Sequence, residues 1–534
     1  MLNQKAIVNQ PTEWSFRSSR NSAACELDIV LDSAELKDFR LPAFYAGDGE
    51  WRFRFSPLQP GAYTFRTECS DRSNSDLHHV TGSIHAEPYA GEIPIFKNGA
   101  PNVNLANGRF EYSNGDPFFW LADTWWMCLT DRVGWPAEFQ ALAADRLKKG
   151  LTVIQLVAGL IPDAPPFDPR AANEGGLPWL QSPPALNPNF YNAADQKIKH
   201  LASIGLSPCI VGAWGYHLPA LGMENMRRHW RNLVARYAAL PVFWCIAGET
   251  TMPYYLSAKR DEDTQLQREG WTQLARYVRA IDPYRRPITT HPCASQDSHH
   301  EVNDAAVLDF NFIQTGHGDI RCASNSLKRA RELANKSKLR PVVHSEVCYE
   351  GIFGTAKDEV QRLLFWASFL SGHSFSYGAN GLWQFNTESR QFGASPHGAV
   401  WGNVPWKDAA AFPGSSHLGL ARQILQRYDW PAIVPHREWI APAASDENSI
   451  GPYAAGIPEK LRLFYFPEPV VPWGAAVTVK KLEPGLRYTA KYLCPLSGAE
   501  SHLGEVKSDN NGDWRVPLCP VMHDYLLVLE RVAE

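Results

Sequence analysis

Two glutamates occupy matching places in this chain. Glu249 follows the apolar run at 242–247 in PVFWCIAGE, and Glu346 follows Val342 and Val343 in PVVHSEV. An ionised carboxylate against a core strand costs several kcal/mol unless something holds it, roughly the penalty of other buried charges. The pair lies 97 residues apart, about three βα units of roughly 30 or more residues each. In an eight-fold barrel that spacing puts them on strands four and seven, facing each other across the mouth. Glycoside hydrolysis needs two such carboxyl groups. One, kept protonated, donates to the leaving oxygen, and the other attacks the anomeric carbon or activates water. Glu249 is expected to be the acid/base and Glu346 the nucleophile, with Glu350 in SEVCYEG as the rival nucleophile.

The ends of the other apolar runs carry groups of the same kind. Asp123 ends the first, with Trp125 and Trp126 after it; Trp214 ends the third, followed by Tyr216 and His217. His291, His317, and Trp383 with Gln384 end the fifth, sixth and eighth. Sugars present C–H faces that stack on indoles and hydroxyls that bond to carboxylates and imidazoles. Asp123, Trp125, Trp214, Tyr216, His217, His291, His317, Glu350 and Trp383 are therefore expected to contact substrate. Each has a purely structural explanation taken singly, and it is their recurrence at one end of successive strands that points to a site. His291, His317 and His344 with Asp123 could hold zinc or iron. No HxH or HExxH spacing supports that reading, so neither metal nor cofactor is expected. Ser/His/Asp chemistry lacks its GxSxG elbow, and no GxGxxG or GxxxxGK[ST] loop offers a nucleotide site.

Positioning these residues requires a barrel. Eight short apolar runs, from PFFWLADT to FSYGANGLWQF, alternate with stretches of helical periodicity such as FYNAADQKIKHLASIG and TQLQREGWTQLARYVRAID. That alternation indicates parallel βα units and a (β/α)8 TIM barrel. Its weakest members are the short fifth strand, PITTHP, and the helix expected in SQDSHHEVNDAAVLD. Before the barrel, WRFRFSP and AYTFRTE alternate with period two, and KLRLFYFP and DYLLVLERV do so after it. The expected organisation is an antiparallel β-sandwich over 1–92, the catalytic barrel over 93–434 and a second sandwich over 435–534. The segment IPDAPPFDPRAANEGGLPWLQSPPALNPNFY, after strand two, is long enough to wall the site, with Asp163, Asp168, Glu174 and Trp179 as its candidates.

Composition narrows the classes further. A net charge of -4 and a sequence pI near 6.5 give no basic footprint for nucleic acid or anionic lipid. No apolar run reaches the ~20 residues of a membrane span, and the first residues lack a basic head and apolar stretch. The ten cysteines are scattered singly, as in reduced proteins, so a cytoplasmic location is expected. Nothing in the sequence sets an oligomeric state.

GDPFFWLADTWWMCLTDR, KGLTVIQLVAGLIPD, CIVGAWGYH, HWRNLVARYAALPVFWCIAGE and HSEVCYEGI, in that order, resemble the apiosidase-like glycoside hydrolases, family 140 and its relatives, over roughly 95–430. The first 90 residues resemble the β-sandwich that precedes such barrels, and the last 95 the one often labelled collagen-binding. The resemblance implies a retaining mechanism with the acid/base after strand four and the nucleophile after strand seven, here Glu249 and Glu346. Two departures accompany it. The characterised apiosidase uses Asp as its acid/base, and larger retaining families place Asn before that Glu, where this chain has Gly248. The expected activity is exo-acting release of a terminal sugar, such as the furanosides apiose or arabinofuranose, from an oligosaccharide or glycoside. The alternatives are an inverting glycosidase using the same pair and a non-catalytic carbohydrate-binding protein.

Overall fold

The computed structural model describes residues 2–20, 23–316, 321–333, 340–468, 476–519 and 522–532. Gly61–Cys69 alternates buried and more exposed side chains, as a strand with one solvated face requires. It lies at the centre of a five-stranded sheet ordered Leu2–Ile7, Thr81–Glu87, Gly61–Cys69, Leu27–Asp32, Phe39–Pro42. A three-stranded sheet of Thr12–Arg17, Glu50–Phe55 and Phe44–Gly47 covers it, with Trp14, Phe16, Phe53 and Phe65 packed between the two. The first strand departs from the antiparallel expectation, because Leu2–Ile7 pairs parallel to Thr81–Glu87.

Eight parallel strands follow: β1 (Leu121–Thr124), β2 (Val153–Leu160), β3 (Ser207–Ala213), β4 (Phe243–Cys245), β5 (Ile288–Thr289), β6 (Asn311–Gln314), β7 (Val342–Glu346) and β8 (Ser374–Tyr377). Their order, β5-β4-β3-β2-β1-β8-β7-β6, is that of a TIM barrel read from one side of its seam. Strands such as β2 are buried at every position, because barrel side chains fill one face and helices cover the other. The seam falls at β5, which is only two residues long. There the Asp309 amide donates to the Ile288 carbonyl at 2.7 Å, and the Thr289 hydroxyl donates to the Phe310 carbonyl at 2.8 Å. The outer ring comprises α1 (Ala137–Lys148), α2 (Pro188–Ile204), α3 (Met223–Tyr237), α4 (Arg260–Ile281), α5 (Cys322–Leu333), α6 (Asp358–Phe369) and α7 (Gly414–Leu425). α2 shows its limits in sequence: Asn187 caps it, Pro188 opens it, and Gly205 at φ 104° closes it. After β5 the expected helix is replaced by two 3-10 turns, Ser298–Glu301 and Ala305–Val307. The sandwich is clamped to this ring. Buried Arg54 bonds Asp195 of α2 and the Arg236 carbonyl of α3, and the Arg236 guanidinium lies 2.8 Å from the same Asp195.

The C-terminal six-stranded sheet includes Tyr453–Ile457, Leu461–Phe466, Tyr525–Arg531 and Tyr488–Leu493 as its central strands. Leu461–Phe466 is buried at all six positions. Phe464 and Phe466 point into the sandwich's own core, while Leu461, Leu463 and Tyr465 join the barrel core. Tyr465 stacks on Trp366 of α6 at 6.1 Å, and Arg362 of α6 lies 2.8 Å from Asp524. No helix among the described residues is long and apolar enough to cross a membrane.

Candidate active site

Glu346 is the last residue of β7, and Glu249 follows β4 by four positions. Both line one cavity of about 220 Å³, at the end of the barrel where the strands finish. Trp126, Trp214, Trp383, Trp401, Tyr255, Tyr349, Asp163 and His397 share its walls. Glu346 is 3% exposed. Its Oε1 accepts from the Tyr349 hydroxyl at 2.8 Å, and its Oε2 lies 3.1 Å from His291 Nε2. Burial, and then the charge of Glu346, push the Tyr349 phenol well above its usual range, so it stays protonated and donates. Trp126 Nε1 in turn donates to the Tyr349 oxygen at 3.1 Å.

Glu249 is more open to solvent. Trp214 Nε1 donates to its Oε2 at 3.1 Å, and Gln314 Nε2 donates to its Oε1 at 3.1 Å. Its backbone sits at φ 38°, a left-handed conformation that costs an L-residue roughly 1 kcal/mol or more.

The loop after β2 supplies the opposite wall. Asp163 accepts from Tyr255 Oη at 2.9 Å and from Trp401 Nε1 at 3.1 Å. Burial, with the nearby charges of Asp163 and Glu249, drives the Tyr255 phenol well above its usual range. The irregular chain after β8, which carries His397 and Trp401, is held down by Asn380 Nδ2, which donates to the Trp401 carbonyl at 2.7 Å. Arg170 donates to the Phe392 and Ala394 carbonyls.

Of the residues expected to contact substrate, Trp214 and Trp383 line this cavity, and His291 packs directly beneath Glu346. Others are turned elsewhere. Asp123 is fully buried and accepts from Arg146 Nε of α1 at 2.6 Å and from Trp125 Nε1 at 2.9 Å. Trp125 packs edge-on to Phe139 of α1. Tyr216 donates to the Ile161 and Ala164 carbonyls, and His217 Nε2 lies 2.9 Å from the Ile161 carbonyl; both hold the base of the β2 loop. Glu350 accepts from Tyr377 Oη and from the Gly414 amide, outside the cavity wall, and burial pushes its carboxyl up to about 7. Of the loop acids, Asp163 reaches the cavity, whereas Asp168 pairs with Arg170. His317 lies outside the described residues. Strand-end reasoning did not single out Gln314, Tyr349, Tyr255 or Trp401. The first two were within reach of it, since Gln314 ends β6 and Tyr349 stands three residues after Glu346.

The apiosidase-like catalytic domain family matches residues 106–432, and a domain of unknown function, DUF5060, matches 10–70. No curated protein matches the chain. Among solved structures, one described as a glycoside hydrolase superposes with a TM-score of 0.63 at 21% identity, covering 82% of this chain and 98% of its own. A glycoside hydrolase family 5 structure from Bacteroides vulgatus gives 0.65 at 21% identity, with 84% and 96% covered. A further Bacteroides vulgatus structure gives 0.70 at 15% identity and covers 99% of this chain and 100% of its own, flanking domains included. At those identities the likeness is one of fold, and it is that of a TIM barrel. The family match spans more than half of the sequence, and by it the chain belongs to the apiosidase-like glycoside hydrolases.

Proposed function

We propose that the protein is a retaining, exo-acting glycosidase in which Glu249 is the acid/base and Glu346 the nucleophile. The observation that carries this reading is that the two carboxylates, from β4 and β7, share one aromatic-walled cavity. Glu346 has the surroundings of a nucleophile: Tyr349 Oη fixes one oxygen, and His291 Nε2 stands beside the other. Glu249 faces the more open side, where a leaving group exits and water enters. Bond cleavage at the anomeric carbon sends a proton from Glu249 to the departing oxygen, and the sugar passes to Glu346. Glu249 then takes a proton from the water that releases it.

The cavity is small. About 220 Å³ lies below the roughly 300–1,000 Å³ of pockets for drug-sized ligands, which suits a single terminal sugar and an exo mode. Trp383 Nε1 is buried without a hydrogen-bond partner among the described residues and offers a donor to a sugar hydroxyl. A furanoside such as apiose or arabinofuranose is the first sugar to try. The ten cysteines, all among the described residues, form no disulfide, in keeping with a reducing cytoplasm.

The test is a panel of 4-nitrophenyl glycosides, apioside and arabinofuranoside included, with the anomeric configuration of the first product followed by NMR. Retention, with turnover abolished in Glu346→Gln and sugar binding kept, supports the assignment. Inversion would transfer Glu346 to the role of base. Sugar binding with no turnover of any glycoside would return the protein to a binding role.

A further inference from the structure

A strained, exposed phenylalanine stands at the edge of the catalytic cavity. Phe353 lies in the turn after β7, at φ 48° and ψ 21°, and is 53% exposed. The neighbouring residues hold this conformation in place. Ile352 is fully buried, the Gly354 amide donates to the Gly351 carbonyl and the Thr355 amide to the Ile352 carbonyl. At Gly351 a β-carbon would lie 2.6 Å from the Phe412 ring. A large apolar residue in the left-handed region is unfavourable twice over, in backbone energy and in hydration, and Gly or Asn would fill the same turn at less cost. The ring is not idle, however. Its centroid is 6.2 Å from that of Trp401, with the planes 38° apart.

Trp401 continues this surface into the cavity, where its Nε1 donates to Asp163, which also accepts from Tyr255; Tyr255 stacks on His397 at 4.8 Å. The side chains thus form one arc from the cavity wall to solvent, and Phe353 is its outer end. Val400, beside Trp401 in sequence, adds another exposed apolar group.

Resting on the catalytic reading above, we propose that Phe353 and Trp401 form the leaving-group platform and that the group they take is aromatic, the substrate being an aryl glycoside. At the outer end of the arc Phe353, Val400 and the Trp401 ring present apolar surface, which matches a phenol, whose one oxygen is engaged at the scissile bond, better than the ring of hydroxyls of a second sugar. Cleavage breaks the bond between the anomeric carbon and the phenolic oxygen. That oxygen takes its proton from Glu249, water supplies the new anomeric hydroxyl, and the phenol leaves along the arc.

The probe is free 4-nitrophenol, observed by saturation-transfer NMR with wild type, Phe353→Ala, Phe353→Gly and Glu346→Gln. Transfer is expected in wild type and Glu346→Gln and lost in both Phe353 variants. The glycine variant is relieved of the left-handed strain, so its loss would not be a folding defect. Equal transfer in all four proteins, or none in wild type, overturns the platform. For the sugar that the glycoside panel identifies, the ratio of kcat/KM for the 4-nitrophenyl over the methyl glycoside should fall about twofold to tenfold in Phe353→Gly, the loss of one aromatic contact. An unchanged ratio also counts against the platform. If no glycoside is turned over, hydrolysis fails while the NMR measurement still decides the binding site.

Discussion

The ring of Trp214 occupies the space that a side chain at residue 248 would need. A β-carbon built on Gly248 would lie 2.2 Å from Trp214 Cε3, and the same indole donates from Nε1 to Glu249. Families that place Asn before the acid/base reach the substrate from that position. Here the space is filled from the neighbouring strand, and the Asn position is left bare.

Gly248→Ala should therefore act through Trp214. The ring is forced aside and Glu249, which reacts as the protonated acid, loses a donor worth roughly 0.5–1.5 kcal/mol for a neutral pair, so kcat/KM should fall about twofold to tenfold. Trp214→Phe, which keeps the ring and deletes the N–H, should show a loss of similar size. Full activity in Gly248→Ala would mean the indole has room to move, against this account.

Glu350 makes stability depend on pH. In the fold its carboxyl holds a proton up to about pH 7, whereas in an unfolded chain it releases one near pH 4.3. Between those values the folded state binds more protons, so stability declines as pH rises. The melting temperature of wild type should drop relative to Glu350→Gln between pH 5 and pH 8, values set by roughly that window. Parallel melting curves for the two proteins would show that the carboxyl is ionised throughout.

Asp123 is expected to matter for folding. Replacing it by Ala leaves Arg146, itself fully buried, without the carboxylate 2.6 Å from its Nε. Breaking a buried pair from one side costs about 3–5 kcal/mol. Urea denaturation should register that loss. A stable variant with a raised KM would instead make Asp123 a substrate contact.

Glu249 should prove more useful than stable. Its φ of 38° suits glycine better, and Glu249→Gly should unfold about 1 kcal/mol harder than Glu249→Gln while neither variant turns over substrate. Equal stabilities would mean the turn carries no strain.

The barrel, and the meeting of Glu249 and Glu346 at one cavity, were legible because buried parallel strands announce themselves as apolar runs and the two carboxylates end or closely follow two of them. Side-chain direction was not. Asp123 and Trp125 face α1, whereas Trp126, the next residue, faces the cavity. Along a strand successive side chains alternate, so naming the strand end without its phase selects the wrong indole. Tyr216 and His217 were misleading for another reason, since they follow β3 into a turn that supports a loop. The helix after β5 failed because SQDSHHEVND caps itself: Asp297 and Asp304 each accept from a backbone amide two residues on, and those local bonds favour short turns.

The double burial of Leu461–Phe466 changes what the C-terminal sandwich is able to be. A recognition module that grips its partner on the flat of a sheet needs one flat left uncovered, and this central strand spends both, one on its own core and one on α6. At the edge of the same sheet Glu500–Glu505 is largely exposed. A fragment ended at 434 would bare Trp366 and the apolar flank around it, so the sandwich belongs to the barrel as a keel belongs to a hull.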